Sequence, residues 1–166
     1  MGKRMHKKLL IVGLTALLLS VCQVYSSQAS ENKYRLGLQG TQFAAGLSGI
    51  IDFSSPWAVQ GIVDFGADAA ALRLLNRFTE KKYWNVYGQA TLGVWGQDSP
   101  RSWGWSEDDY LKHHEGGFGA GIGLGIEYDW RGIEASLPPI GWNLELGASV
   151  IPAFYFDIGI GVHWMF

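Results

Sequence analysis

The sequence predicts an all-β fold, an eight-stranded antiparallel up-and-down barrel that crosses a membrane. Three observations predict it. Apolar side chains recur with period two from Tyr34 to Phe166, the mark of strands whose faces meet different environments. The face opposite the large apolar residues is built mainly of Gly, Ala, Ser, Gln and Asn with isolated charges, poor material for a water-facing surface. Only 17% of the 166 residues are charged, while 14% are aromatic and 23 are glycine, an unusual balance for a soluble exported domain.

The chain divides into residues 1–29, a cleaved secretory signal peptide, and residues 30–166, the barrel domain. Lys3, Arg4, Lys7 and Lys8 precede an apolar run from Leu9 to Val21, and "SSQAS" then offers Ser27 and Ala29 as the small residues of a cleavage site. The run falls short of the roughly 18 apolar residues of a spanning helix. Cys22 follows Val21 rather than a small residue, which argues against lipidation. Cleavage after Ala29 removes four basic and no acidic side chains, shifting the formal charge of −2 further to the acidic side, and removes the one cysteine. No basic block remains to act as a nucleic-acid footprint. Without disulfides, packing and backbone hydrogen bonds must hold the domain together.

Each strand follows from its alternation. The first, Tyr34–Gly40, sets Leu36 and Leu38 against Arg35, Gly37 and Gln39. The second opposes Phe43, Ala45, Leu47, Ile51 and Phe53 to Gln42, Ala44, Gly46 and Ser48. In the third, Trp57, Val59, Val63 and Phe65 back onto Ala58, Gln60, Ile62 and Asp64. The fourth places Ala70, Leu72, Leu74 and Phe78 opposite Arg73, Leu75 and Arg77. The fifth places Trp84, Val86, Ala90, Leu92 and Val94 opposite Asn85, Tyr87, Gln89, Thr91 and Trp95. The sixth, "GFGAGIGLGIEYDW", has glycine at every odd position from 117 to 125. That parity rules out the two-then-three spacing of a dinucleotide loop, and the large apolar residues between the glycines rule out a flexible linker. The seventh sets Trp142, Leu144, Leu146, Ala148 and Val150 against Asn143, Glu145, Gly147 and Ser149. The eighth sets Phe154, Phe156, Ile158, Ile160, Val162, Trp164 and Phe166 against Tyr155, Asp157, Gly159, Gly161, His163 and Met165.

Eight consecutive strands with hairpin-sized links suggest a meander, and closure removes its edges. A soluble barrel would keep the apolar face inside and need a charged exterior. Here the apolar face is large and its rings gather near strand ends, which fits a lipid-facing exterior with aromatic girdles around a polar lumen.

The alternate residues Ile158, Ile160, Val162, Trp164 and Phe166 end the chain. This resembles the terminal strand of bacterial outer-membrane barrels, and signal peptide and strand pattern together resemble the small eight-stranded barrels of the OmpA/OmpX type. The resemblance implies a location in the cell outer membrane of a Gram-negative-type envelope and recognition of the last strand by the barrel assembly machinery. It implies contact with outer-membrane lipid, a monomeric state and periplasmic termini. The longest outward connection is then residues 97–114, with Trp103, Trp105 and Tyr110 among Glu107, Asp108 and Asp109, a candidate surface for an extracellular partner. The connection 129–141 is long for a periplasmic turn, and Pro138 and Pro139 are expected to end pairing there.

The inward charges predict a lumen network of Arg73, Arg77, Asp64, Glu127, Glu145, Tyr155, Asp157 and His163. Its arginines pair with Asp64, Glu127, Glu145 or Asp157, because unpaired interior charge is costly. An eight-stranded interior is just wide enough for side chains to fill, so a plug is expected ahead of a narrow passage. His113, His114 and Glu115 are read as a solvated loop end rather than a metal site, and Asp108 and Asp109 lack the spacing of a calcium loop. Ser102 or Ser106 with His113 or His114 and Asp108 supplies the residue types of a triad without placing them. The expectation is a non-enzymatic barrel without cofactor or metal, having a structural, surface-interaction or membrane-integrity role. A narrow solute channel and a lipid-modifying enzyme are the alternatives.

Overall fold

The computed structural model describes residues 34–41, 43–54, 56–66, 68–96, 116–151 and 154–166. Residues 1–29, expected to be a signal peptide, the connection 97–114 and Gln42 lie outside the described residues. Eight strands follow one another: β1 (Tyr34–Gly40), β2 (Ala45–Ser54), β3 (Trp57–Asp64), β4 (Ala69–Glu80), β5 (Trp84–Trp95), β6 (Gly117–Asp129), β7 (Ile140–Ile151) and β8 (Tyr155–Met165). Each is antiparallel to its sequence neighbour, and β1 pairs with β8 from Arg35↔Met165 to Gly40↔Ile160, closing the barrel. Closure satisfies backbone groups that would be costly in hydrocarbon. Bulges at Asp52/Ser54, Arg77/Thr79 and Ala120/Gly121 sit near strand ends, where a local twist costs the ladder least.

Parity sorts the side chains inside out relative to a soluble barrel. On β4, Leu72 and Leu74 are 41% and 45% exposed, while Arg73 between them is 1% exposed. Gln39, Gln60 and Ser149 join Arg73 among the fully buried side chains, and Leu38, Leu47, Leu92, Ile122, Leu124, Leu146 and Ile160 face outward. A charged interior under an apolar wall is stable only where the wall meets lipid. At the end holding Tyr34 and Phe166, hereafter the terminal end, Trp57, Trp84 and Trp164 are exposed, and the Tyr128 ring packs on Trp142 at 6.2 Å. At the far end the exposed rings are Phe65, Phe118, Phe154 and Phe156. This is the two-girdle organisation of a membrane barrel.

Ile51 and Ala70, expected on the outer face, are buried, and two further details depart from the sequence pattern. Phe43, expected on the outer face of the second strand, is buried and stacks on Trp95 with ring centroids 5.8 Å apart and planes within 1°. The strand begins only at Ala45, and Phe43 belongs to the β1–β2 turn, where strand parity no longer dictates direction. Thr41 closes that turn: its N–H donates to Ala44 O at 3.0 Å, and its hydroxyl oxygen accepts from Ala44 N–H at 3.3 Å. The second detail is the connection after β6. The strand continues to Asp129, whose carboxylate caps a single 3-10 turn, Trp130–Gly132, by accepting from Arg131 N–H at 2.9 Å. Pro139 does not end pairing outright, because its carbonyl, which proline retains, accepts from Met165 N–H at 2.8 Å.

Candidate functional site

The lumen is where the chain concentrates its chemistry. Arg73 projects inward from β4 because it lies between two lipid-facing leucines. Its guanidinium donates to Gln60 Oε1 at 2.7 Å and to Glu145 Oε2 at 2.6 Å, reaching across from β4 to β7. Glu145 also accepts from Tyr87 O–H, from Asn143 Nδ2 at 2.7 Å and from Gln39 Nε2 at 3.2 Å. Gln60 Nε2 donates to Ser48 Oγ at 2.8 Å, and Ser48 Oγ lies 2.9 Å from His163 Nε2. Every strand except β6 thus gives a side chain to this central layer. A buried carboxylate is tolerated here because one arginine and three neutral donors converge on it.

Nearer the terminal end a second layer spans the ring. Arg35 on β1 donates to Glu127 on β6 and, at 2.9 Å, to Asp52 on β2, and Asp52 also accepts from Arg77 on β4. One carboxylate oxygen bridging two arginines spreads charge through the layer. Between the layers a cavity of about 10 Å³ remains, lined by residues including Arg35, Gln60, Tyr87, Glu127, Asn143 and His163. That is room for about one water.

The β6 glycines explain how the rings fit. A Cβ on Gly117 would fall 2.5 Å from the Trp95 indole, and one on Gly119 would meet both Phe43 and Trp95. A Cβ on Gly125 would lie 2.6 Å from the Tyr87 hydroxyl, and one on Gly123 would lie 2.7 Å from Gln89 Nε2. The bare face of β6 is therefore the bed on which inward side chains of β5 and the first turn lie. Phe43 and Trp95, with Ala44, Ile62, Ala69 and Ala71, form an apolar stopper toward the far end.

Of the residues picked from sequence, Arg73, Glu145 and His163 meet in the central layer, and Arg77 and Glu127 meet in the terminal-end layer. Arg77 takes Asp52 as its partner, an acid outside the predicted set. Asp64 does not enter either layer. It lies at the far end of β3, where its carboxylate accepts from Gly66 N–H at 2.9 Å in the turn. Asp157 is half-buried opposite Gly147, and the Tyr155 side chain lies outside the described residues. Ile158, Ile160, Val162, Trp164 and Phe166 share the exposed outer face. Sequence reasoning missed Arg35, Gln39, Ser48, Asp52, Gln60, Tyr87 and Asn143 as network members. The signal was available, since counting onward in twos from Ser48 reaches Asp52 on the same face. Ser102, Ser106, Asp108, Asp109, His113, His114 and Glu115 lie outside the described residues. Among the described residues, no three His, Cys, Asp or Glu side chains cluster as metal ligands would.

No family model matches the sequence, and no curated protein matches it. Among solved structures, the chain is similar to the outer membrane protein Ail of Yersinia pestis, determined in a phospholipid bilayer nanodisc. Identity is 14%, covering 82% of this chain and 100% of that one, with a TM-score of 0.44. The closed eight-stranded architecture of the present chain stands on its own strand pairing.

Proposed function

We propose that this chain is a monomeric outer-membrane barrel with a structural role: it anchors in lipid, keeps its lumen closed and presents the outward connection 97–114 for surface contact. The observation that carries this reading is the interior itself. Two transverse layers of charge and an aromatic stopper stand in series, with a cavity for about one water between the layers. A conducting pore would instead need a continuous polar passage, which eight strands hold only if the interior side chains are small. On this reading residues 1–29 are removed, the mature chain begins at Ser30, and the apolar alternate residues of β8 engage the assembly machinery. No nucleic acid, cofactor or metal enters the role.

The test is single-channel recording on refolded protein in a planar bilayer. The expected result for the wild type is a baseline without resolved steps. Steady steps from the wild type would overturn the plug and establish the channel. Intact mass of the exported protein checks the leader, and a chain retaining Met1 or carrying lipid on Cys22 would refute it.

A further inference from the structure

The terminal end carries a patch that the lumen does not account for. The β4–β5 turn holds Lys81 and Lys82, both exposed, and is closed by Lys81 N–H donating to Trp84 O at 3.1 Å. The β6–β7 connection is tied to this turn, because Asp129 N–H donates to Tyr83 O at 2.8 Å. Gly132 makes the fit possible, since a Cβ there would fall 2.7 Å from both Tyr83 Cβ and the Tyr128 hydroxyl. The joined connections leave Trp84 and Trp130 more than a third exposed at the rim of the lipid-facing wall.

Of the described acids of the neighbouring connection, Asp129 is paired with a cation, while Glu134 has a neutral partner and keeps its charge. Asp129 is held by Arg131, with Nε at 2.9 Å and a terminal guanidinium nitrogen at 2.6 Å from Oδ2, and Glu134 accepts from the Ser136 hydroxyl at 2.6 Å. The Lys82 ammonium sits 4.9 Å from the Tyr83 ring centroid. Neither lysine has a carboxylate partner among the described residues. Two exposed ammonium groups, without a carboxylate partner among the described residues, therefore sit on connections that carry two partly exposed indoles, in a chain whose overall balance is acidic.

We propose that this rim seats the headgroup of an anionic phospholipid, with its phosphate at the ammonium groups of Lys81 and Lys82 and its glycerol region against Trp84 and Trp130. Two features of the surface select this occupant. The patch is continuous with the apolar wall, so a ligand with acyl chains is covered where a free phosphate would not be. Its charge favours a net negative headgroup over a zwitterionic one, which brings a competing cation to the same place. The proposal rests on the membrane reading above and adds a lipid preference to it.

The experiment compares protein refolded in phosphatidylcholine vesicles with protein refolded in vesicles that also contain phosphatidylglycerol. Retained lipid is read by native mass spectrometry after mild detergent extraction, and barrel formation is followed separately by β-sheet circular dichroism. The wild type is expected to retain phosphatidylglycerol in preference to phosphatidylcholine. Each of Lys81→Gln and Lys82→Gln should cut that preference about five-fold, the effect of one basic residue near an anionic surface. These exposed changes leave folding intact, and Lys82→Arg should keep the preference. Equal retention of both lipids by folded wild type, or a preference unchanged in the double glutamine variant, would overturn the site while leaving the barrel standing. Wild type that forms no barrel in either vesicle would overturn the membrane reading and the site with it.

Discussion

At the scale of single residues, the interior is an argument about partners. Arg73 and Glu145 are nearly fully buried and 2.6 Å apart, so removing one leaves the other charged without its counter-ion. Arg73→Ala is expected to lower stability by about 3–5 kcal/mol, whereas the joint change Arg73→Met with Glu145→Leu should recover most of that loss. Urea unfolding of the vesicle-embedded protein measures both. A single variant as stable as wild type would mean that water enters the layer and replaces the lost partner. The arginines themselves were legible in the sequence, because an arginine between two leucines on an alternating strand can point only inward. Their partners were not. The choice of Asp52 over Asp64 for Arg77 depends on stagger around the ring and on side-chain reach, and parity along one strand carries neither.

At the scale of elements, β6 is the clearest case of sequence speaking directly about packing. Gly117, Gly119, Gly123 and Gly125 are beds for rings and amides, so the smallest enlargement should be felt there. Gly125→Ala places a methyl group against Tyr87 and is expected to cost about 1–3 kcal/mol as overpacking. Gly49→Ala meets only the Leu36 side chain at 3.5 Å, an ordinary contact, and should be close to neutral. Equal denaturation midpoints for the two variants would show that Tyr87 moves aside freely. On the other face, Ile160→Arg puts a charge into the lipid-facing band and should cost about 2–4 kcal/mol if it sits near the bilayer midplane, read as folded yield in vesicles. Ile160→Leu should fold as wild type does. All eight strands were legible from period two alone. Phe43 was misplaced because a turn residue escapes the alternation, and the 3-10 turn after β6 left no periodic trace at all.

At the scale of the whole molecule, the proposed plug places its blocks in series, and this predicts how a leak would arise. Phe43→Ala with Trp95→Ala removes the apolar stopper but leaves both charged layers in place, so conductance should stay at baseline. Adding Arg73→Ala and Arg77→Ala removes the bulk of the central layer and loosens the other, and resolved steps should then appear. Steps already present in the first variant would mean that the charged layers are permeable to ions. The eight strands were legible from period two, and the expectation of a filled lumen follows from strand number and inward residue types. The identity of the stopper was not, since it depends on a contact between residues far apart in the chain.

That contact also sets an order in time. The seat of Phe43 is built from Trp95 and Gly93 on β5 and from Gly119 on β6, so the first hairpin cannot be locked until chain far downstream has arrived. Thr41, Phe43 and Ala44 leave the ribosome early and are expected to be secured late. In pulsed hydrogen exchange during refolding, their amides should gain protection after those of the β4–β5 hairpin, whose partners are local.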